Sequence, residues 1–282
     1  MEPLQISRTS DKEYLYHHVA FPPHKLVIAS RLEEDDEDDE IAVDPYFFDP
    51  SYTLAAATGF SVWEGAIALL SFLRSAENPE AVEFRRRVIE NRESVVELGS
   101  GTGIAGLGVA ALGGDVLLTD VASVCDLTRA NVRRNANSSA SDNGHAPISK
   151  WKTTTVVGRG TASVQTLDWF EPVSQQCKLT DPRSAPIIMA AEVAWLEELV
   201  PAFVKTMADL LEPSPEAPTK VCYWAYKERG TEASKIFTTM SHVKRLFTDQ
   251  GLEVVEIGKE PSRDDPGKHV LVNIVRKRRK EV

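Results

Sequence analysis

A glycine-rich turn between two apolar segments constrains this 282-residue chain more than any other feature of its sequence. Residues 94–98 (SVVEL) form a short β-branched run that is typical of a central parallel strand. Gly99, Gly101 and Gly103 follow at alternate positions, and a helix rich in small residues is expected at 103–112. Glycine permits positive φ and lets the backbone approach a neighbour closely. The run therefore predicts a strand–turn–helix unit of an α/β fold.

The rest of the chain continues this alternation of strands and helices. Short apolar runs predict further parallel strands at 115–119, 162–167, 186–191 and 219–226. Amphipathic runs predict helices at 60–74, 79–91, 122–136, 195–211 and 230–249. The last two apolar runs, 252–257 and 269–275, are separated by a turn-rich link and predict an antiparallel hairpin. The fold expected is α/β and Rossmann-like: a doubly wound, mostly parallel seven-stranded sheet with an antiparallel edge hairpin.

The chain divides into an N-terminal extension, residues 1–55, and one α/β domain, residues 56–282. In the extension, two β-rich pieces within residues 13–32 predict a short hairpin. Residues 33–40 (EEDDEDDE) predict a solvated acidic loop, with a docking patch for a basic partner as the alternative. Within the domain, the polar segment 137–147 predicts a mobile loop.

Charge and composition exclude several classes of function. The formal net charge of −10 argues against broad electrostatic binding to nucleic acid. No stretch reaches the roughly 18–20 apolar residues that a membrane span needs, and the N-terminus lacks the apolar core of a signal peptide. Three dispersed cysteines fit neither a disulfide framework nor a metal site, so no metal is expected. We expect a cytoplasmic monomer, and the basic tail at 276–280 is interpreted as a solvated strand end or a nuclear import signal.

Two acidic residues define what the glycine turn could hold. Glu97 lies directly before the turn, where a carboxylate would face a positive amine on a ligand and would repel a pyrophosphate. A dinucleotide oxidoreductase is disfavoured for this reason. Asp120 ends the next strand, 23 residues after Glu97, and an acid at about that distance accepts hydrogen bonds from ribose hydroxyls in Rossmann-like sites. A helix N-cap is the alternative role for Asp120.

Aromatic residues lie at or directly after the ends of two of the other predicted strands. Asp168 and Trp169 come after the third strand, where an acid can meet the exocyclic amine of adenine and an indole can cover the ring. Core packing of Trp169 is the alternative. Tyr226 ends the fifth strand and is expected at the same ligand-bearing edge, or else as a half-buried strand-end residue.

Five motifs in this order resemble a known family. They are GFSVWEGAIALLSFL, VVELGSGTGIAGLGVAALGG, LLTD, LDW and AAEVAW. The set resembles the seven-β-strand methyltransferase-like protein-lysine methyltransferases, which include enzymes that modify chaperones and translation elongation factors. The resemblance covers about residues 55–275 and implies S-adenosylmethionine as the cofactor. It also implies a protein substrate, such as a chaperone or a translation factor.

The resemblance implies roles for individual residues. Those expected to bind the cofactor are Trp63, Glu97, Gly99, Gly101, Gly103, Asp120, Trp169 and Ala191. At the end of the fourth strand the family usually has Asp-x-x-Tyr, whereas this chain has Glu192 and Trp195. Glu192 is expected to orient a lysine ammonium, and Trp195 and Tyr226 to stabilise it by cation–π contact.

Three hypotheses of function follow. The first is a protein-lysine N-methyltransferase, supported by the ordered motifs. The second is a small-molecule N-methyltransferase on the same fold, which the change at Glu192 and Trp195 leaves open. The third is a catalytically silent binding module that uses the acidic run 33–40; the intact glycine turn and Asp120 argue against it.

Overall fold

Eleven strands form two sheets in the computed structural model, which describes residues 4–32, 58–137, 148–177, 180–229, 231 and 234–278. The strands among these residues are β1 (Gln5–Ser10), β2 (Tyr14–Phe21), β3 (His24–Arg31), β4 (Val95–Leu98), β5 (Asp115–Asp120), β6 (Thr155–Val157), β7 (Gly160–Thr166), β8 (Ile187–Ala191), β9 (Val221–Lys227), β10 (Leu252–Pro261) and β11 (His269–Lys277). Strands β1 to β3 form a small antiparallel sheet, and the other eight form the main sheet.

The α-helices of the described residues lie between these strands. They are α1 (Glu64–Leu73), α2 (Pro79–Arg85), α3 (Ile104–Leu112), α4 (Ala122–Arg134), α5 (Val200–Leu210) and α6 (Met240–Asp249). Helix α2 continues directly into a π-helical turn, Arg86–Glu90. None of the helices in the described part of the chain combines the length and the apolar character that crossing a lipid bilayer requires.

The main sheet has the strand order β10-β11-β9-β8-β4-β5-β7-β6. Its five central strands, β9, β8, β4, β5 and β7, are parallel, and β11 and β10 add the antiparallel hairpin at one edge. This confirms the predicted Rossmann-like, doubly wound fold. The chain winds from β4 towards β5 on one side and returns to β8 on the other. A crevice is expected outside the carboxyl ends of strands at such a reversal, here between β4 and its neighbours.

All seven predicted strands of the main sheet are present, and an eighth joins them. Strand β6 pairs with β7 in antiparallel orientation at the edge opposite the hairpin. It has three residues, too few for a strand periodicity to be recognised in the sequence. The predicted N-terminal hairpin is also larger than expected, because β1 adds a third strand. The acidic run 33–40, the boundary at 55/56 and residues 138–147 of the predicted loop lie outside the described residues.

Three helices, α1, α5 and α6, begin at least four residues later than predicted. One interaction accounts for the late starts of α5 and α6. Leu196 and Phe237 form an isolated antiparallel bridge. On either side of it, Thr238 N–H donates to the Trp195 carbonyl at 3.0 Å and Glu197 N–H donates to the Ile236 carbonyl at 2.9 Å. Both segments are therefore held in extended conformation, and α5 and α6 start only beyond them. The pairing is long-range, so the local apolar periodicity of each segment could not indicate it.

The main sheet is buried on both faces. Helices α1, α2 and α3 cover one face, where Leu69, Phe84 and Leu107 are fully buried. Helices α5 and α6 cover the other face, with Phe203 and Phe247. The strands in the centre thus have apolar side chains pointing both ways, as expected of a parallel sheet covered on two sides.

The small N-terminal sheet is attached to helix α4 by two buried or half-buried asparagines. Asn131 accepts a hydrogen bond from Ala29 N–H and donates to the Ala29 carbonyl, both at 2.9 Å. Asn135, one turn later, makes the same pair of bonds with Val27 at 2.8 and 2.9 Å. Asn131 also donates to the carbonyl of Thr102 in the glycine turn. The extension is thereby connected to the turn that follows β4.

Candidate active site

The glycine turn takes the shape that its three glycines allow. Gly99, Gly101 and Gly103 have φ values of 62°, 53° and 82°, in the left-handed region that favours glycine. A Cβ on Gly99 would lie 2.5 Å from Cγ1 of Val193, so this position also needs glycine for space. Gly103 is the N-cap residue of α3. The backbone of the turn therefore lies close to Val193 and Trp169, and its first residues, from Gly99 to Thr102, line the crevice.

Glu97 is buried at the end of β4, directly before the turn. Its Oε2 accepts a hydrogen bond from Gly106 N–H at 3.0 Å, in the first turn of α3. Glu97 is 2% exposed, and burial raises the pKa of its carboxyl to about 8. The nearby charge of Asp120 acts in the same direction. An uncompensated carboxylate in such surroundings favours a cationic ligand.

Asp120 holds the turn from the neighbouring strand. Its Oδ2 accepts a hydrogen bond from Gly101 N–H and its Oδ1 accepts one from Val121 N–H, both at 2.8 Å. Burial raises the pKa of this carboxyl to about 6, although both hydrogen bonds lower it. The N-cap residue of α4 is Val121, and no side chain caps the helix start, so the alternative role of Asp120 as the helix N-cap is wrong.

A cavity of about 890 Å³ opens at the carboxyl ends of β4, β5 and β8. Nine of the eleven predicted site residues line it: Trp63, Glu97, Gly99, Gly101, Asp120, Trp169, Ala191, Glu192 and Trp195. Two of its buried polar atoms, Oγ of Ser100 and Nε1 of Trp169, have no hydrogen-bond partner among the described residues. Buried polar groups in native proteins are nearly always paired, so these atoms are suited to a bound molecule.

Trp169 and its neighbours line the cavity after β7. The Trp169 ring lies against Gly99 and packs on Phe203, with the ring centroids 5.4 Å apart. Asp168 Oδ1 accepts a hydrogen bond from Phe170 N–H at 2.9 Å, which shapes the loop after β7. Phe170 is 67% exposed and also lines the cavity. A flat aromatic ligand fits between such apolar surfaces.

Glu192 also lines the cavity, directly after β8, and has an unusual backbone conformation. Its φ is 52°, which is rare for a residue with a side chain, and the residue is 4% exposed. Its Oε2 accepts a hydrogen bond from Gly65 N–H in the first turn of α1. Gly65 has no room for a Cβ, because that atom would overlap Cγ of Glu192. The carboxylate is thus tied to the start of the helix that follows Trp63.

Arg229 contacts three of the predicted site residues and was not predicted from the sequence. One guanidinium nitrogen lies 2.5 Å from Oε1 of Glu192. The guanidinium carbon lies 4.6 Å from the ring centroid of Trp63 and 5.5 Å from that of Trp195. Glu192, which was expected to meet a substrate cation, therefore already has a cationic partner. The charged run after β9 was the available signal, because it follows a strand end on the ligand-bearing edge.

Two predicted site residues do not line the cavity. Gly103 lies behind the turn and shapes it as the N-cap of α3. Tyr226 is fully buried in the other core face, where its hydroxyl donates to the Thr238 carbonyl at 3.1 Å and its ring packs on Trp224. The prediction that Tyr226 forms an aromatic wall for the substrate is therefore wrong. Alternation along β9 points this side chain away from the cavity.

A second ion pair lies beside the first. Lys227, at the end of β9, pairs with Glu64, the first residue of α1, and both side chains are almost fully buried. Glu64 also accepts hydrogen bonds from the Ser262 hydroxyl and from Arg263 N–H. Burial opposes the charge on Glu64, but these partners together hold the pKa of its carboxyl below its ordinary value. The pair joins α1, β9 and the link between β10 and β11 next to Trp63.

No group of three or more His, Cys, Asp or Glu side chains within the described ranges is arranged to hold a metal ion.

Comparison with known proteins gives one family. A family model described as lysine methyltransferase matches residues 51–243. EEF1A lysine methyltransferase 3 of Mus musculus is 28% identical over 222 residues, which cover 78% of this chain and 72% of that protein. Protein N-lysine methyltransferase METTL21A of Xenopus tropicalis is 28% identical over 149 residues, covering 53% of this chain and 54% of that protein.

Among solved structures, the CcbJ methyltransferase from Streptomyces caelestis is 13% identical, with a TM-score of 0.43. The similarity covers 72% of this chain and 90% of that one.

Proposed function

Because this chain belongs to the lysine methyltransferase family, we propose that its cavity binds S-adenosylmethionine at the β4–β5 end and receives an acceptor lysine at the β8 end. The enzyme is an S-adenosylmethionine-dependent protein-lysine methyltransferase. The observation that carries the assignment of the site is that one cavity joins the buried Glu97 and the half-buried Asp120 to the indoles of Trp63 and Trp195.

The residues of the β4–β5 end match the parts of the cofactor. The Glu97 carboxylate would pair with the ammonium of the methionine moiety, and the Asp120 carboxylate would accept hydrogen bonds from the ribose hydroxyls. The unpaired hydroxyl of Ser100 offers a further polar contact. Trp169 and Phe170 would cover the adenine. All five of these side chains line the same cavity, which supports the assignment.

When bound, S-adenosylmethionine supplies an electrophilic methyl group on a sulfonium sulfur. The protein's part is to place the acceptor amine in line with the S–CH₃ bond and to receive it in the neutral form, because only that form has a lone pair. Trp63 and Trp195 border the space next to Glu192, with ring centroids 6.0 Å apart. They would exclude water from the reacting groups and guide the lysine side chain.

The titration of Glu97 predicts that cofactor affinity depends on pH. In the free enzyme the pKa of this carboxyl is about 8, so it is mostly protonated at pH 7. The cationic cofactor favours the ionised form and lowers that pKa, so binding releases a proton below pH 8. We expect the affinity to rise up to about tenfold per pH unit between about pH 6.5 and 7.5, a range in which most of the cofactor's amine is charged. Isothermal titration calorimetry in two buffers of different ionisation enthalpy measures both effects.

Glu97→Gln is the matched control for this titration. The variant should bind the cofactor more weakly, and its affinity should not vary over the same pH range. An affinity of the unmodified enzyme that is constant across the range, with no proton release, would contradict the role given to Glu97.

Methyl transfer tests the proposed function directly. The purified full-length protein is incubated with methyl-labelled S-adenosylmethionine and a lysate from the source organism, and the labelled species are analysed by mass spectrometry. We expect discrete labelled proteins carrying methyl-lysine. Label confined to the small-molecule fraction would instead indicate the alternative of a small-molecule N-methyltransferase. The absence of both label and cofactor binding at millimolar concentration would exclude either activity.

The finer properties of the enzyme are part of this proposal. A translation factor is the favoured acceptor, since the relative in Mus musculus is named for EEF1A, and a chaperone is the alternative. An acceptor of either kind supports a cytoplasmic location. Residues 56–282 would form the catalytic domain of a monomer, with residues 1–55 as its extension. The identity of the labelled proteins and the mass of the enzyme in solution check these points.

A further inference from the structure

At the β8 end of the cavity, the Glu192 carboxylate is not free to bind a lysine ammonium. Both carboxylate oxygens of Glu192 are engaged, one by Arg229 and the other by Gly65 N–H. The Arg229 guanidinium lies over the aromatic faces of Trp63 and Trp195. The structure thus already contains a cation in the position where a substrate cation would be most stable.

Arg229 is well suited to remain in this position. Its planar group stacks on the indoles while it pairs with the carboxylate, an arrangement that arginine makes better than lysine. The side chain is 24% exposed, whereas the Glu192 side chain is 1% exposed. Removing Arg229 would leave a nearly buried carboxylate without its counter-ion, which is strongly unfavourable.

These contacts have a consequence for the acceptor. A lysine side chain that enters beside Trp63 and Trp195 meets the Glu192 carboxylate, which the Arg229 guanidinium behind it already neutralises. Like charge at close range disfavours its protonated form, whereas a free carboxylate would favour it. Transfer to the sulfonium methyl needs the unprotonated amine. Arg229 therefore favours the unprotonated amine that methyl transfer requires.

From these contacts, and resting on the proposed function, we propose that Arg229 is a positioning residue which neutralises Glu192 and occupies the cation position on Trp63 and Trp195, so that the acceptor lysine is received as a neutral amine. The methyl transfer itself is unchanged: the amine nitrogen forms the N–CH₃ bond, the S–CH₃ bond breaks, and the sulfur takes the electron pair. The proton of the ammonium has already been lost to water.

Other charged groups surround this pair, and most have partners of their own. Glu64 of α1 pairs with Lys227, and Glu197 lies 3.2 Å from His242 of α6. Glu228 accepts a hydrogen bond from Met240 N–H at 2.8 Å. Glu198 lines the cavity and is exposed, and Arg263 contacts Glu64 through its backbone. Of these groups, Glu192 is the one in contact with the Arg229 guanidinium, so replacing Arg229 should act mainly through Glu192.

The test is the pH profile of kcat and KM for Arg229→Met, measured with saturating S-adenosylmethionine and the protein that the unmodified enzyme labels in lysate. We expect the midpoint of kcat to move upward by about one pH unit, which lowers kcat near pH 7 about tenfold. KM for the acceptor should stay equal or fall, because the freed carboxylate attracts the ammonium. Affinity for S-adenosylmethionine should stay within about threefold, because the variant leaves the cofactor end intact.

Two further variants make the result independent of the folding of Arg229→Met. Arg229→Lys keeps the charge and should keep the midpoint. Glu192→Gln/Arg229→Met removes both charges and should return the midpoint towards that of the unmodified enzyme. Arg276→Met, at an exposed pair with Glu253 near the sheet edge, is the matched control and should change neither the midpoint of kcat nor KM.

The remaining outcomes overturn the proposal. A lower kcat with an unshifted midpoint in Arg229→Met would show that the residue is only structural. A higher kcat near pH 7 would show that Arg229 blocks the site. Failure of the unmodified enzyme to label any protein would reject the proposed function and this inference together, whereas labelling with an unshifted midpoint rejects the inference alone.

Discussion

Asp120→Ala should weaken S-adenosylmethionine binding by about 100-fold or more and abolish methyl transfer at ordinary cofactor concentrations. In the proposed site this carboxylate accepts two hydrogen bonds from the ribose, and bonds to a charged group contribute about 1.5–3 kcal/mol each. About 1.4 kcal/mol corresponds to a tenfold change in affinity. The variant also loses the bond from Gly101 N–H that holds the glycine turn. Isothermal titration calorimetry measures the affinity, and labelled transfer measures the activity.

Asp265→Ala is the matched control, because Asp265 forms a surface pair with Lys268 far from the turn in sequence. It should bind the cofactor as the unmodified enzyme does. Thermal unfolding shows whether both variants are folded at the temperature of the assay. If Asp120→Ala bound S-adenosylmethionine within threefold of the unmodified enzyme, the placement of the ribose beside β5 would be wrong.

Lys227→Met should lower the free energy of unfolding by about 3 kcal/mol or more. It removes one partner of a buried ion pair and leaves the Glu64 carboxylate in the interior without its cation, a change that typically costs about 3–5 kcal/mol. For a domain of this size the melting temperature should fall by roughly 10 °C. Chemical denaturation followed by tryptophan fluorescence and circular dichroism measures the loss. Because Glu64 begins α1 directly after Trp63, the cavity should also become less ordered.

Two comparisons separate the ion pair from other effects of the substitution. Lys268→Met removes an exposed lysine from a surface pair and should cost less than about 1 kcal/mol. Glu64→Gln/Lys227→Met removes both charges and should be more stable than Lys227→Met alone. A double variant that is no more stable than the single one would mean that lost packing of the lysine stem, and not the unpaired charge, accounts for the effect.

The cofactor end of the site could be predicted from the sequence because its signals are local. The glycine turn, Glu97 before it and Asp120 at the end of the next strand lie within one strand–helix–strand unit, and the parallel pairing of β4 with β5 brings them together. Parallel strands present their carboxyl ends at one edge of the sheet. Order along the chain was therefore enough to place these residues in one cavity.

The acceptor end could not be predicted in the same way, because it depends on which face a side chain takes and on contacts between distant segments. The topological rule placed Tyr226 at the correct edge, but its face follows from the register of β9 with β8. Lys227 points to the side of α1, and Tyr226 to the side of α5 and α6. Arg229 lies in an irregular segment beyond β9, and its pairing with Glu192 spans 37 residues of chain. No periodicity indicates such a contact.

Asn131 and Asn135, on and directly after helix α4, make the hydrogen bonds to β3 that a neighbouring strand would otherwise make. Residues four apart on a helix are separated by about 6.0 Å along its axis, and residues two apart on a strand by about 6.6 Å. The two carboxamides can therefore satisfy the outward N–H and C=O groups of Val27 and Ala29 as a β-ladder would. The β3 edge of the small sheet is consequently closed to strand addition at these two residues. A shift of β3 by one residue would break all four bonds, so the same two side chains also fix its register.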